Sequence, residues 1–90
     1  MVTAVAEGAQ PLLVRVRAGD SEALLELYDR FGWGVYGRAR RITGDRLAAE
    51  LITIGVFTRL WRCPQEFPPD RLQHSLNQLA DRHATAWAYD

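Results

Sequence analysis

AGDSEALLELYDRFGWGVYGRARRITGDRLAAELITIGVFTRLWR, residues 18–62, carries two helices together with the signals that start and stop them. Gly19 can take the left-handed conformation that closes a helix, and Asp20 or Ser21 then supplies a side-chain oxygen to the free N–H groups of the next one. Leu24, Leu27, Tyr28, Phe31, Val35, Ala39 and Ile42 follow at steps of three and four, which aligns them on one helical face. Gly32, Gly34 and Gly37 fall inside this helix, and they predict a weak middle or a close approach by another backbone. Gly44-Asp45 repeats the stop-then-cap signal and opens a third helix of roughly 17 residues. Leu47, Leu51, Ile54, Phe57 and Trp61 form one stripe on that helix, with Ile52, Val56 and Leu60 beside it. A helix apolar around so much of its circumference is either central to the core or has a second partner.

On the N-terminal side, Pro11 fits a first helical turn, where its missing N–H has no intrahelical partner. Leu12, Leu13, Val14 and Val16 then give a short leading helix, and residues 1–10 read as a flexible lead. On the C-terminal side, Cys63-Pro64 ends the third helix, and the three prolines between Pro64 and Asp70 make a loop. Asp70 is placed to cap a fourth helix bearing Leu72, Leu76, Leu79, His83 and Trp87. No segment alternates with a period of two. The expected architecture for residues 11–90 is therefore all-α: a compact bundle of three main helices plus a short N-terminal helix.

The composition agrees with one small globular domain: 90 residues, 48% hydrophobic and 24% charged. Eleven basic residues, every one an Arg, offset eleven acids to a formal charge of zero. That balance argues against general nucleic-acid binding by excess positive charge. The zero is uneven: residues 11–62 hold nine Arg against six acids, whereas residues 63–90 hold two Arg against four acids. A single cysteine, Cys63, excludes an internal disulfide, and no signal peptide or membrane-spanning run is apparent, so a cytoplasmic location is expected.

Catalytic chemistry has little to work with. Cys63, His74 and His83 are too widely spaced for a zinc motif, and no phosphate loop, nucleophile elbow or carboxylate pair is present. His83, on the apolar stripe of the last helix, reads as a hydrogen-bonded packing residue. Cys63, at a helix C-terminus where the dipole disfavours a thiolate, reads as inert. Neither enzymatic activity nor a cofactor or metal is expected.

Taken together, Ala18-Gly19-Asp20, Leu27-Tyr28, Val35-Tyr36, Gly44-Asp45, Ala49-Glu50, Val56-Phe57 and Leu60-Trp61 resemble, in register, the second conserved region of bacterial sigma factors. The extracytoplasmic-function group of the sigma-70 family is the nearest match, and with the last helix the resemblance covers residues 11–87. It implies a helical domain that docks on RNA polymerase and opens promoter DNA. The departures change that expectation. Where the family carries an aspartate, a glutamine and a glutamate that contact the polymerase clamp, this chain has Leu51, Ile54 and Gly55. In the last helix the family shows Trp-Leu, then an Ile-Ala-Arg-Asn-like run and further basic residues. The matching stretch here is Ser75-Leu76, then Leu79-Ala80-Asp81-Arg82, and Trp87-Ala88-Tyr89-Asp90 is not basic, so if these residues are the whole protein an incomplete sigma factor is expected.

The favoured expectation is a sigma-like regulatory protein whose promoter chemistry has decayed and whose fold binds another protein. Its partner would be an anti-sigma factor, the RNA polymerase core or a second copy in a homodimer. A genuine sigma domain and a self-associating helical module are the competing readings. Leu51 and Ile54 are either buried in a rearranged core or exposed as an apolar interface. Trp33, between Gly32 and Gly34, is either an exposed anchor or a packing plug, while Trp61 and Trp87 read as core. Arg38, Arg40 and Arg41, with Arg71 and Arg82, are the candidates for nucleic-acid contact. A solvated helix end is the plainer account of the first three, and DNA binding is expected to be weak or absent.

Overall fold

The computed structural model describes residues 4–89. Four helices follow one another: α1 (Ala4–Arg17), α2 (Ser21–Thr43), α3 (Arg46–Arg62) and α4 (Leu72–Ala88). Two single 3-10 turns, Pro64–Glu66 and Pro69–Arg71, lead into the last helix. Among the described residues there is no strand, and the chain is an all-α bundle. α2 is its axis and packs against each of the other three helices, while α3 also packs on α4. Leu13, Leu27, Val35, Val56, Leu60 and Leu76, drawn from all four helices, are fully enclosed.

The helix boundaries follow the glycine-aspartate pairs. Gly19 and Gly44 both have positive φ, +88° and +67°. Asp20, rather than Ser21, caps α2: its Oδ1 accepts from the backbone N–H groups of Glu22 and Ala23. Arg15 Nε donates to the other carboxylate oxygen at 2.9 Å, which ties α1 to the start of α2. Asp45 Oδ1 accepts from the Ala48 N–H at 2.9 Å. Asp45→Ala is therefore expected to cost about 1 kcal/mol of stability, read as a lower midpoint in urea with α3 still helical.

Several expectations need correction. α1 is longer than a short leading helix and takes in residues 4–10, which places Pro11 in its interior instead of its first turn. The expectation of a flexible lead for residues 1–3 lies outside the described residues. Asp70 does not cap α4; it lies within the second 3-10 turn, and α4 starts without a side-chain cap. The turn imposed by Pro68 and Pro69 separates Asp70 from the first free N–H groups of the helix. α2 runs unbroken through its three glycines. Gly32 alone meets a neighbour, the Tyr28 ring, 3.4 Å from where its Cβ would stand.

The largest correction concerns which faces are buried. α3 turns Ala48, Ala49, Ile52, Thr53, Val56, Phe57 and Leu60 inward, and Thr53 satisfies its hydroxyl by donating to the Ala49 carbonyl at 2.7 Å. α4 buries Leu72, Leu76, Ala80 and Ala84, leaving His83 and Trp87 exposed and Leu79 half-buried. Helices that approach closely need small residues where they touch, so alanines take the interior positions that a stripe of large residues had suggested for His83, Trp61 and Trp87.

Candidate protein interface on the outer face of α3

α3 has two apolar faces. The buried face, centred on Val56, packs against α2 and α4. At about 100° per residue, Leu47, Leu51, Ile54, Thr58 and Trp61 fall on the opposite side of the helix. Leu47, Leu51 and Ile54 are 64%, 60% and 55% exposed, and Trp61 is 38% exposed. Their spacing, four-three-four-three, is that of a coiled-coil seam, in which each side chain inserts between residues of a facing helix. The rearranged-core reading of Leu51 and Ile54 is thereby removed, and so is the assignment of Trp61 to the core.

The stripe continues across a groove between α2 and α3. Tyr28, Gly32, Trp33 and Tyr36 line it from α2, with Arg46, Glu50, Thr53 and Ile54 from α3, around a volume of about 690 Å³. Gly32 is the buried residue at its floor, directly under the Tyr28 ring. Tyr28 is fixed by an edge-to-face contact with Phe57, ring centroids 5.0 Å apart. Trp33 stands on the rim, 81% exposed, with its ring edge-to-face against Tyr36 at 6.1 Å. Trp33 is an exposed residue, not a plug. Ile54 belongs to both the stripe and the groove, so Leu51, Ile54 and Trp33 lie on one continuous surface.

Gly55, one helical turn beyond Leu51, borders this surface on its α4 side. It is half-buried and turned toward α4, where its Cβ position would lie 3.8 Å from His83 Nδ1. There it lines a second, polar groove of about 860 Å³ with Arg59, Arg62, Cys63, Arg82 and His83. Arg59 is held by Glu66 through two hydrogen bonds of 2.9 Å. No family model matches the chain, and neither does a curated protein or a solved structure.

The arginines are not gathered into one nucleic-acid surface. Arg38 clamps α2 to α4 by a bidentate pair with Asp81, Nε to Oδ1 at 3.0 Å and Nη2 to Oδ2 at 2.6 Å. Its guanidinium is thus occupied by a carboxylate in place of phosphate. Arg40 and Arg41 are exposed in the last turn of α2, where they complement the helix dipole. Arg71 and Arg82 are exposed too, but Arg71 ends the second 3-10 turn whereas Arg82 lies well inside α4, eleven residues further on. Among the described residues no group of three metal-ligating side chains assembles, and no helix is long and apolar enough to cross a membrane.

The clamp has a pH signature. The hydrogen bond from Arg38 holds the Asp81 carboxyl below its ordinary value, with the charges of Arg38 and Arg41 acting in the same direction. Asp81 binds its proton more weakly folded than unfolded, so the pair stabilises the fold at and above the usual carboxylate range. That contribution is lost as pH falls through the depressed native value. Asp20, held down by Arg15, acts in the same sense. The urea midpoint is expected to fall between neutral pH and about pH 3, and Asp81→Asn to remove part of that fall. A variant that keeps the full acid sensitivity would take Asp81 out of the account.

Sequence reasoning missed four residues of the surface: Leu47, Trp61, Tyr28 and Tyr36. The spacing that marks Leu47 and Trp61 as partners of Leu51 and Ile54 is plain in the sequence, but the sequence leaves open whether that stripe meets the core or a second partner, and Trp61 alone reads as core. Tyr28 and Tyr36 carry no such signal, because they reach the groove only through the packing of α2 on α3.

Proposed function

We propose that the chain is a sigma-region-2-like regulatory module that acts by binding another protein through the outer face of α3. The observation that carries this reading is the exposed apolar stripe diametrically opposite the buried face of the same helix. Contiguous apolar surface of this kind is costly in water and marks protein interfaces. The resemblance adds a second support. Two of the three positions that it assigns to polymerase docking, Leu51 and Ile54, point outward, where a docking residue must be. Their aliphatic side chains replace charge-assisted contacts with apolar burial, so the partner surface is greasy and the contact insensitive to salt. Promoter binding is not proposed, since Arg38 is engaged by Asp81 and residues 63–90 hold two Arg against four acids, the wrong balance for gripping phosphates.

The test is direct binding of the purified chain to the RNA polymerase core and to anti-sigma domains, with Leu51→Asp/Ile54→Gln as the comparison. Binding of either protein is expected to survive high salt and to vanish in the double variant while circular dichroism stays unchanged. Binding that the double variant retains would sink the proposal. Single-stranded promoter-like DNA is expected to produce no mobility shift even at low salt.

A further inference from the structure

The occupant of the α3 face follows from its pattern, its area and the charge of the chain; this step rests on the reading above and gives it a partner. A four-three-four-three row of Leu47, Leu51, Ile54, Thr58 and Trp61 is built to receive a helix, because knobs at that spacing fit the holes of another helix. The row is also nearly symmetric about Ile54. Seven residues to either side stand Leu47 and Trp61, with Leu51 and Thr58 three and four residues away. Such a row is self-complementary, which is the requirement of a two-fold contact between identical chains.

Area points the same way. Leu47, Leu51, Ile54, Trp61, Trp33 and Tyr28 are all substantially exposed. At about 200 Å² for a fully exposed large side chain, their exposed fractions amount to something on the order of 700 Å². Each partner in a standard-size interface contributes roughly 800 Å². The formal net charge of zero removes the long-range repulsion that separates copies of strongly charged proteins. Direction is set by the helix ends. A parallel pair would bring together two C-terminal ends that each carry Arg62, Arg59 being paired with Glu66, and would align the two helix dipoles. An antiparallel pair avoids both.

We propose that two copies of this chain pack α3 against α3 in an antiparallel two-fold dimer, with Ile54 at the axis and Leu47 of each copy opposite Trp61 of the other. In the dimer the stripe is withdrawn from water, so any other protein that uses this face competes with the second copy. Self-association thereby sets how much of the face is free.

Sedimentation equilibrium over about 1–500 µM is expected to show a mass rising from 10.2 kDa toward twice that value, with micromolar affinity. Leu51→Asp/Ile54→Gln is expected to weaken association at least about 100-fold with helicity retained, whereas Val14→Ser, at an exposed site on α1, leaves it unchanged. Ile54→Cys in a Cys63→Ser background is expected to form an intermolecular disulfide on mild oxidation, and Leu25→Cys in the same background is not. This second readout stands even if the double variant fails to fold. A chain that stays monomeric throughout the range overturns the dimer, as does a dimer that cross-links at residue 25 and not at 54. An apolar dye separates the two claims. A monomer that binds the dye through Leu51 and Ile54 overturns only the second copy, and a monomer that binds none overturns the interface reading with it.

Discussion

Leu60→Ala is expected to lower the unfolding free energy by about 3 kcal/mol, whereas Leu51→Ala, in the same helix, is expected to change it by no more than about 0.5 kcal/mol. The two substitutions delete the same atoms and alter helix propensity equally, so their difference isolates burial. Leu60 is fully enclosed, and truncating it leaves a cavity that neighbouring side chains fill only in part. Leu51 already contacts water over most of its surface, and removing it transfers little apolar area. For a domain of this size the Leu60 loss is a large share of a total stability of about 5–15 kcal/mol, and the melting temperature should fall by roughly 12–24 °C. The comparison belongs in dilute protein, because association through the outer face would couple concentration to stability. Equal losses at the two positions would mean that Leu51 is as enclosed as Leu60, and a larger loss at Leu51 would mean that α3 has its faces reversed.

Helix positions were legible in the sequence because they are set locally. Gly19-Asp20 and Gly44-Asp45 each place a left-handed residue beside a capping carboxylate, and both pairs act as such. Asp70 carries the same chemistry but sits in a proline-rich turn, where its carboxylate does not reach the helix. A capping residue is informative only when the next few residues are free to enter the helix, and Pro68-Pro69 delays that entry until Leu72.

The burial of each face was less legible, since it depends on partners far away in sequence. On α2 the large-residue stripe and the buried face share Leu27, Phe31, Val35 and Ala39, because α2 is surrounded and its core side chains must fill space. On α3 and α4 the interior positions include Ala48, Ala49, Ala80 and Ala84, which contribute little to a hydrophobic pattern and much to close packing. The conspicuous residues Leu47, Leu51, Ile54 and Trp61 were then free to face outward. An α3 apolar on both sides was the visible sign of a second contact, and only the three-dimensional arrangement distinguishes which side is which. The arginines show the same limit: Arg38 and Asp81 are 43 residues apart, and their pairing leaves no local trace.

Trp33→Ala is expected to weaken contact at the α3 face by about 10- to 30-fold while leaving the stability of the isolated chain nearly unchanged. The indole is exposed over most of its surface, so its removal opens no cavity, and alanine is the better helix former. Its value is at the contact. A rigid aromatic beside the Gly32 floor offers a large apolar area at small entropic cost, and the T-shaped arrangement with Tyr36 holds the ring in place before binding. Trp33 differs in this respect from Leu51 and Ile54, whose replacement by polar groups introduces desolvation penalties as well as deleting surface. The readout is the association constant of Trp33→Ala against wild type and against Val14→Ser, together with Trp33→Phe, which should recover part of the loss because it keeps an aromatic face on the rim. If Trp33→Ala associates as the wild type does, the contact is confined to the stripe of α3 and the groove beneath Trp33 is not part of it.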